Sequence, residues 1–256
     1  MMRRSLLLAF VSTFAVASVA LAATGPKGSS RLTLAQAVSR TSRAPSMRYA
    51  LVIGVTRTHA AALQLRVHGA RTTSSLFLHV KAVSMLAGGG AAMPGPEQSA
   101  LIDGPFLYEG SPNGVAVQGH VRWLRVPIAR IGTSSKAVST MHSLSPAPLL
   151  RVVDEWSRAR TRSPNGVFHG SIAYDDPVVL TALSGMTGGI QFRDVFFTAR
   201  LGGDGFVHSI IVTGRTADGS RTLNATVKMY GFGRPVRVSI PREGTFMDQK
   251  LLGLAE

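Results

Sequence analysis

From Met47 onward, apolar residues recur at every second position in one segment after another. Met47, Tyr49, Leu51, Ile53 and Val55 alternate with Arg48, Ala50, Val52, Gly54 and Thr56. A period of two sends successive side chains to opposite faces of an extended strand, so each segment buries one face and offers the other to water. Leu63, Leu65 and Val67 repeat the pattern against Gln64, Arg66 and His68, and Leu76 to Val83 continues it. "ALIDGPFLYEG" (100–110) reads as a hairpin, because Asp103-Gly104 tolerates positive φ between two apolar runs. Val115–Val126, with Trp123 on it, and "VFHGSIAYDD" (167–176) are further strands.

A meander closes the series. Val195, Phe197, Ala199 and Leu201 run to the turn GGDG (202–205). Phe206, His208, Ile210 and Val212 run back to DGS (218–220). Leu223, Ala225, Val227 and Met229 run out again. In "VKMYGFGRPVRVSIP" (227–241), Gly231 and Gly233 permit a bend or bulge. Pro235 cannot donate to a ladder, so it begins a new strand at an edge or corner, with Val236, Val238 and Ile240 inward. "AGGGAAMPGPEQS" (87–99) reads as a mobile loop.

Helical spacing interrupts the strands in three places. Leu32, Leu34, Ala35 and Val38 share one face between Ser30 and Arg43, and Ala44-Pro45 stops that helix. Ser145-Pro146 starts a second helix carrying Leu149, Leu150, Val152, Val153 and Trp156. Asp176-Pro177 opens a short third one over 178–186. No strand-helix-strand alternation appears, which argues against a parallel α/β sheet. The expected fold is α+β: a single strongly curved antiparallel sheet of about ten strands, an unclosed β-barrel, with helices covering its concave face.

The N-terminus has the pattern of an export signal. Arg3 and Arg4 precede an apolar run from Leu6 to Val19, and Ala20-Leu21-Ala22 is a small-x-small cleavage pattern. Residues 1–22 are expected to be a signal peptide cleaved after Ala22, with Ala23 as the alternative. Residues 23–30 are a linker, 31–241 the folded domain and 242–256 a C-terminal tail. The alternative is an uncleaved anchor. The chain has no cysteine, so it has neither a disulfide framework nor a site for a lipid anchor on sulfur. Its net charge is +15, carried mostly by arginine. That balance favours anionic partners, namely a membrane surface or an envelope polymer. The cations are dispersed and lack interleaved aromatics, and with export this argues against nucleic acid.

Catalytic patterns are missing. The seven histidines (59, 68, 79, 120, 142, 169 and 208) have no metal-ligand spacing. There is no G-x-S-x-G, S-x-x-K or Walker pattern, and Asp176 of the Asp175-Asp176 pair is better explained as a helix cap. Neither an enzyme nor a cofactor is expected.

Several stretches together resemble a known group: "IDGPFLYE" (102–109), "VRWLRVPIARIG" (121–132), Gly170-x-Ile172-x-Tyr174, "GGDGFVHSIIV" (202–212) and "YGFGRPVRVSIP" (230–241). The chain is similar to the LolA-like superfamily, and within it to the actinobacterial LppX/LprG-type envelope lipoproteins. Ala23-Thr24 stands where those lipoproteins carry a lipobox cysteine. The resemblance implies a half-barrel with an apolar cavity that holds acyl chains, working as a carrier without catalysis. Leu51, Ile53, Trp123, Phe197, Ile210, Ala225, Val227 and Met229 are the expected lining. The expected partner is a lipid or acyl-chain ligand. The alternative is a sensor or regulatory module that contacts a membrane protein.

Overall fold

The computed structural model describes residues 32–57, 62–85, 93–110, 123–132, 135–157, 166–172, 177–187, 189–242 and 246–248. The expected signal peptide and linker, most of the 115–126 strand and most of the tail lie outside these residues.

Thr33 starts the first helix. Its hydroxyl accepts from Gln36 N (3.2 Å) while its own N–H donates to Gln36 Oε1 (2.9 Å), a reciprocal cap that satisfies two otherwise orphaned donors. Helix α1 (Leu34–Ser42) buries Leu34, Ala37, Val38 and Thr41. Four strands follow: β1 (Ser46–Arg57), β2 (Ala62–Thr72), β3 (Ser75–Met85) and β4 (Met93–Asp103). Next come β5 (Phe106–Gly110), β6 (Trp123–Pro127), α2 (Ile128–Ile131), α3 (Lys136–Ser143) and α4 (Ala147–Ser157). The rest is β7 (Val167–Ile172), α5 (Pro177–Thr187), β8 (Asp194–Leu201), β9 (Val207–Arg215), β10 (Arg221–Tyr230) and β11 (Phe246–Asp248).

All eleven strands form one sheet in the order β11-β6-β5-β4-β3-β2-β1-β10-β9-β8-β7. Neighbours are antiparallel except β11 and β6, which run parallel. The sheet is unclosed, with β11 and β7 at its two ends. Alternation decides the faces. Met47, Tyr49, Leu51 and Ile53 of β1 and Leu223, Ala225, Val227 and Met229 of β10 are buried on one face. That face packs with α1 and with Leu149, Val152 and Val153 of α4 in a single core.

Two polar ties hold α1 down. Thr41 Oγ1 donates to Ala37 O (2.7 Å) and accepts from Val207 N (2.8 Å). Arg71 Nη2 donates to Ser42 O (2.8 Å) and Ala44 O (3.3 Å), which places a cation at the negative end of the helix dipole.

The structure corrects three expectations. Residues 93–99 are not loop: they belong to β4 and pair with β3. The register shifts between Lys81 and Val83, and this bulge lets a segment with two prolines join the ladder. Residues 235–241 are not strand. The chain turns after Tyr230 at Gly231 (φ 68°) and Gly233 (φ 67°), and Ile240 is 50% exposed. Both sides of β10 are already taken by β1 and β9, so no ladder position is free there. Instead Gly233 N donates to Ser46 O (3.0 Å) and Ser46 Oγ to Arg234 O (2.6 Å). Finally, there are five helices among the described residues in place of three, α2 and α3 being the additions.

Candidate functional site

The register carries the apolar face across the sheet in rows. Leu51 lies opposite Val227, which lies opposite Ile210. In the next row Ile53 meets Ala225, Ala225 meets Val212 and Val212 meets Phe197. Tyr49 and Met229 form the row on the other side. Seven expected lining residues (Leu51, Ile53, Phe197, Ile210, Ala225, Val227 and Met229) thus sit in three consecutive rows. None is more than 3% exposed. They are the floor of a layer roofed by the helices.

Trp123 is elsewhere. It pairs with Gly110, which pairs with Ser99, so it occupies the opposite face near the far end of the sheet. Parity could not be carried to Trp123 from sequence, because β5 sets its register. The tryptophan that does belong to the layer is Trp156 of α4. Its ring meets Phe197 edge-on, 4.8 Å between centroids at 85°. Gly170 makes room for the pair: a Cβ there would lie 2.4 Å from both rings.

The layer is mostly apolar, and one of its polar groups stands out. Tyr49 is fully buried, and among the described residues its hydroxyl has no hydrogen-bond partner. Burial pushes its phenol pKa well up from the usual value near 10, and the Arg71 charge pulls weakly the other way. Met47, Met141, Met186 and Met229 are also buried here, and thioether chains are the most adaptable core residues.

On the outer side of α1 lies an open groove of about 840 Å³. Leu32, Ala35, Arg40, Pro45 and Phe206 line it, and Asp154 adds a carboxyl group. Arg40 lies over the Phe206 ring at 4.7 Å, and Phe206 stacks on Phe232 at 4.4 Å. Among the described residues no group of three or more His, Asp or Glu is placed to hold a metal, and no helix is long and apolar enough to cross a membrane. The Asp175-Asp176 pair lies outside the described residues.

No family model matches the chain, and no curated protein matches it. Among solved structures it is similar to a LolA superfamily protein from Nitrosomonas europaea, with 8% identity over 81% of this chain and 96% of the other, at a TM-score of 0.26. It is also similar to a protein of unknown function with a hot dog fold from Alicyclobacillus acidocaldarius, with 17% identity over 74% and 80% of the two chains, at a TM-score of 0.18. Likenesses this weak say nothing about activity.

Proposed function

We propose that this chain is an exported, non-catalytic protein of the cell envelope, of LolA-like type, that carries a lipid or other hydrophobic ligand between its helices and its sheet. The buried Tyr49 hydroxyl is the observation that carries this reading. An unsatisfied buried polar group costs on the order of 1–3 kcal/mol, and native structures rarely keep one without a use. The polar head of an amphiphile lying in the layer would give Tyr49 its missing partner. Arg71, directed from β2 toward the end of α1, adds a cation nearby. The acyl portion would lie along the apolar rows, against the methionines. The roof is made of short helices, so admission requires α1 or α4 to lift. Kinship with the LppX/LprG-type lipoproteins rests on the sequence resemblance alone.

One observation favours a second reading. The seven side chains are sealed, which suits an interaction module contacting a membrane protein. Native mass spectrometry of the protein purified from its own envelope separates the two. A co-purifying lipid, with stoichiometric uptake of a fluorescent acyl probe, is the expected outcome. A stoichiometric protein partner without probe uptake would overturn the carrier reading and install the other.

A further inference from the structure

The opposite face of the sheet is built differently. On β10, β1 and β2 it includes Lys228 and Tyr230, Arg48 and Val52, and Arg66 and His68. Arg48, Arg66, His68, Lys228 and Tyr230 are exposed. The register extends the set. Lys228 lies opposite Ser209, which lies opposite Arg200, and on its other side it lies opposite Ala50, which lies opposite His68. Phe196 lies opposite Thr213, itself opposite Asn224, so Phe196 shares this face with Tyr230.

Charge and apolarity therefore coincide. Phe196 (54% exposed) and Tyr230 (47%) are two of the three large hydrophobic side chains exposed among the described residues. From strand spacing they stand roughly 20 Å apart, with the cations Arg48, Lys228 and Arg200 among and beside them. Among the described residues none of Arg48, Arg66, Arg200 and Lys228 is ion-paired. The acids on this face lie toward its margins. Glu97 is bound to Lys81 (2.5 Å), Asp103 accepts from Ser75, and Asp194 lies opposite Arg215. Ile211, Val52 and Thr226 between them are half-buried.

From this we infer that the open face across β8, β9, β10, β1 and β2 is a docking surface for an anionic lipid bilayer. The cations match anionic headgroups. Tyr230, with its polar hydroxyl, matches the boundary between headgroups and acyl chains, and the wholly apolar Phe196 matches the acyl side of it. A soluble polyanion would use the cations and leave Phe196 and Tyr230 in water, so the aromatics favour a bilayer. This surface lies on the side of the sheet away from the ligand layer and does not depend on the carrier proposal.

The test is co-sedimentation of the mature chain with vesicles of phosphatidylglycerol and phosphatidylcholine in equal parts, and with phosphatidylcholine alone. Each cation near an anionic surface contributes about fivefold in affinity. The triple variant Arg48→Gln, Arg66→Gln, Lys228→Gln is expected to lose about 100-fold on anionic vesicles. The helix-side triple Arg43→Gln, Lys136→Gln, Arg151→Gln is expected to bind like the parent. Phe196→Ser with Tyr230→Ser is expected to abolish the part of binding that survives high salt. All of these positions are exposed, and melting curves verify that each variant folds. Equal losses from the two triples would overturn the proposal, because binding would then follow net charge alone. So would polyphosphate binding as tight as vesicle binding together with no effect of the aromatic changes, which would make the face a polyanion site.

Discussion

The Tyr49 ring occupies the space that a side chain at position 69 would need. Tyr49 and Gly69 are direct partners across β1 and β2, and a Cβ on Gly69 would lie 2.2 Å from Tyr49 Cζ. Tyr49 is fully buried. Gly69→Ala should therefore cost about 1–3 kcal/mol, the usual penalty for overpacking a filled core. At roughly 2–4 °C per kcal/mol for a chain of this size, the melting temperature falls by several degrees. Gly54→Ala is the control. Its Cβ would meet only Asn224 O at 3.7 Å, an ordinary contact, and its melting temperature should stay near that of the parent. Equal melting of the two variants would show that the ring does not depend on Gly69.

Thr41 joins α1 to β9 through a single buried hydroxyl, which serves Val207 N and Ala37 O at once. Thr41→Val keeps the shape and removes the acceptor. Val207 N is then left buried and unbonded, at a cost of about 1–3 kcal/mol. Chemical denaturation should show this loss, and hydrogen exchange at Val207 should speed up. Unchanged exchange at Val207 would mean that another acceptor replaces the hydroxyl.

Asp218 sits in the turn between β9 and β10 and accepts from Thr216 Oγ1, Ser220 Oγ and Ser220 N. These bonds favour the carboxylate and lower its pKa from 3.8 to about 2. Because the folded value lies below the unfolded one, the contribution to stability is fully present above pH 4. It is lost as pH falls toward 2. A carboxyl NMR titration should place the midpoint near 2, and Thr216→Ala should move it back toward the ordinary value. A midpoint near 3.8 in the parent would show that the turn does not hold the carboxylate.

The export proposal gives a direct outcome. Sequencing the N-terminus of protein recovered outside the cytoplasm should begin at Ala23 or Thr24, next to Ala20-Leu21-Ala22. Recovery of Met1 would replace the diffusible form with an anchored one.

What the sequence made legible is what each residue decides with its near neighbours. The alternation of Leu223, Ala225, Val227 and Met229 marks the buried face of β10 locally, and seven of the eight residues expected to line a cavity are buried on that one face of the sheet. Apart from the two short helices α2 and α3, the errors are non-local. Pro94 and Pro96 read as loop because the irregularity that admits them, with Lys81 to Val83 of β3 facing the longer step from Glu97 to Pro94 of β4, exists only once the two strands pair. Val236, Val238 and Ile240 alternate like a strand, but the fold leaves β10 no free side. Trp123 falls on the other face because its parity depends on pairing with Gly110. The dependence of Tyr49 on Gly69 spans twenty positions and a register that no local pattern specifies. The cationic face was visible only as scattered arginines until the ladder placed them side by side.

Tyr49→Phe tests the group on which the proposed function rests. The change removes a hydroxyl that is buried and, among the described residues, unbonded, while keeping the ring over Gly69. Stability at pH 8 should hold or rise by about 1 kcal/mol, since the desolvated group disappears with no bond lost. Alkaline pH gives a second reading. Burial raises the folded pKa of Tyr49 above the ordinary value of 10. Above pH 10 the unfolded chain releases this proton while the folded chain keeps it, so the unfolded state binds fewer protons and stability declines as pH rises. Urea midpoints at pH 8 and pH 10.5 should show this decline in the parent and a smaller one in Tyr49→Phe. Ligand uptake should move the opposite way: an acyl probe with a carboxyl head should bind the variant about 2–10-fold more weakly, the worth of one hydrogen bond. A loss of more than 1 kcal/mol at pH 8 would mean that the hydroxyl already has a partner, and the carrier reading would lose its support. Unchanged stability with unchanged uptake would place the ligand, if one binds, away from Tyr49.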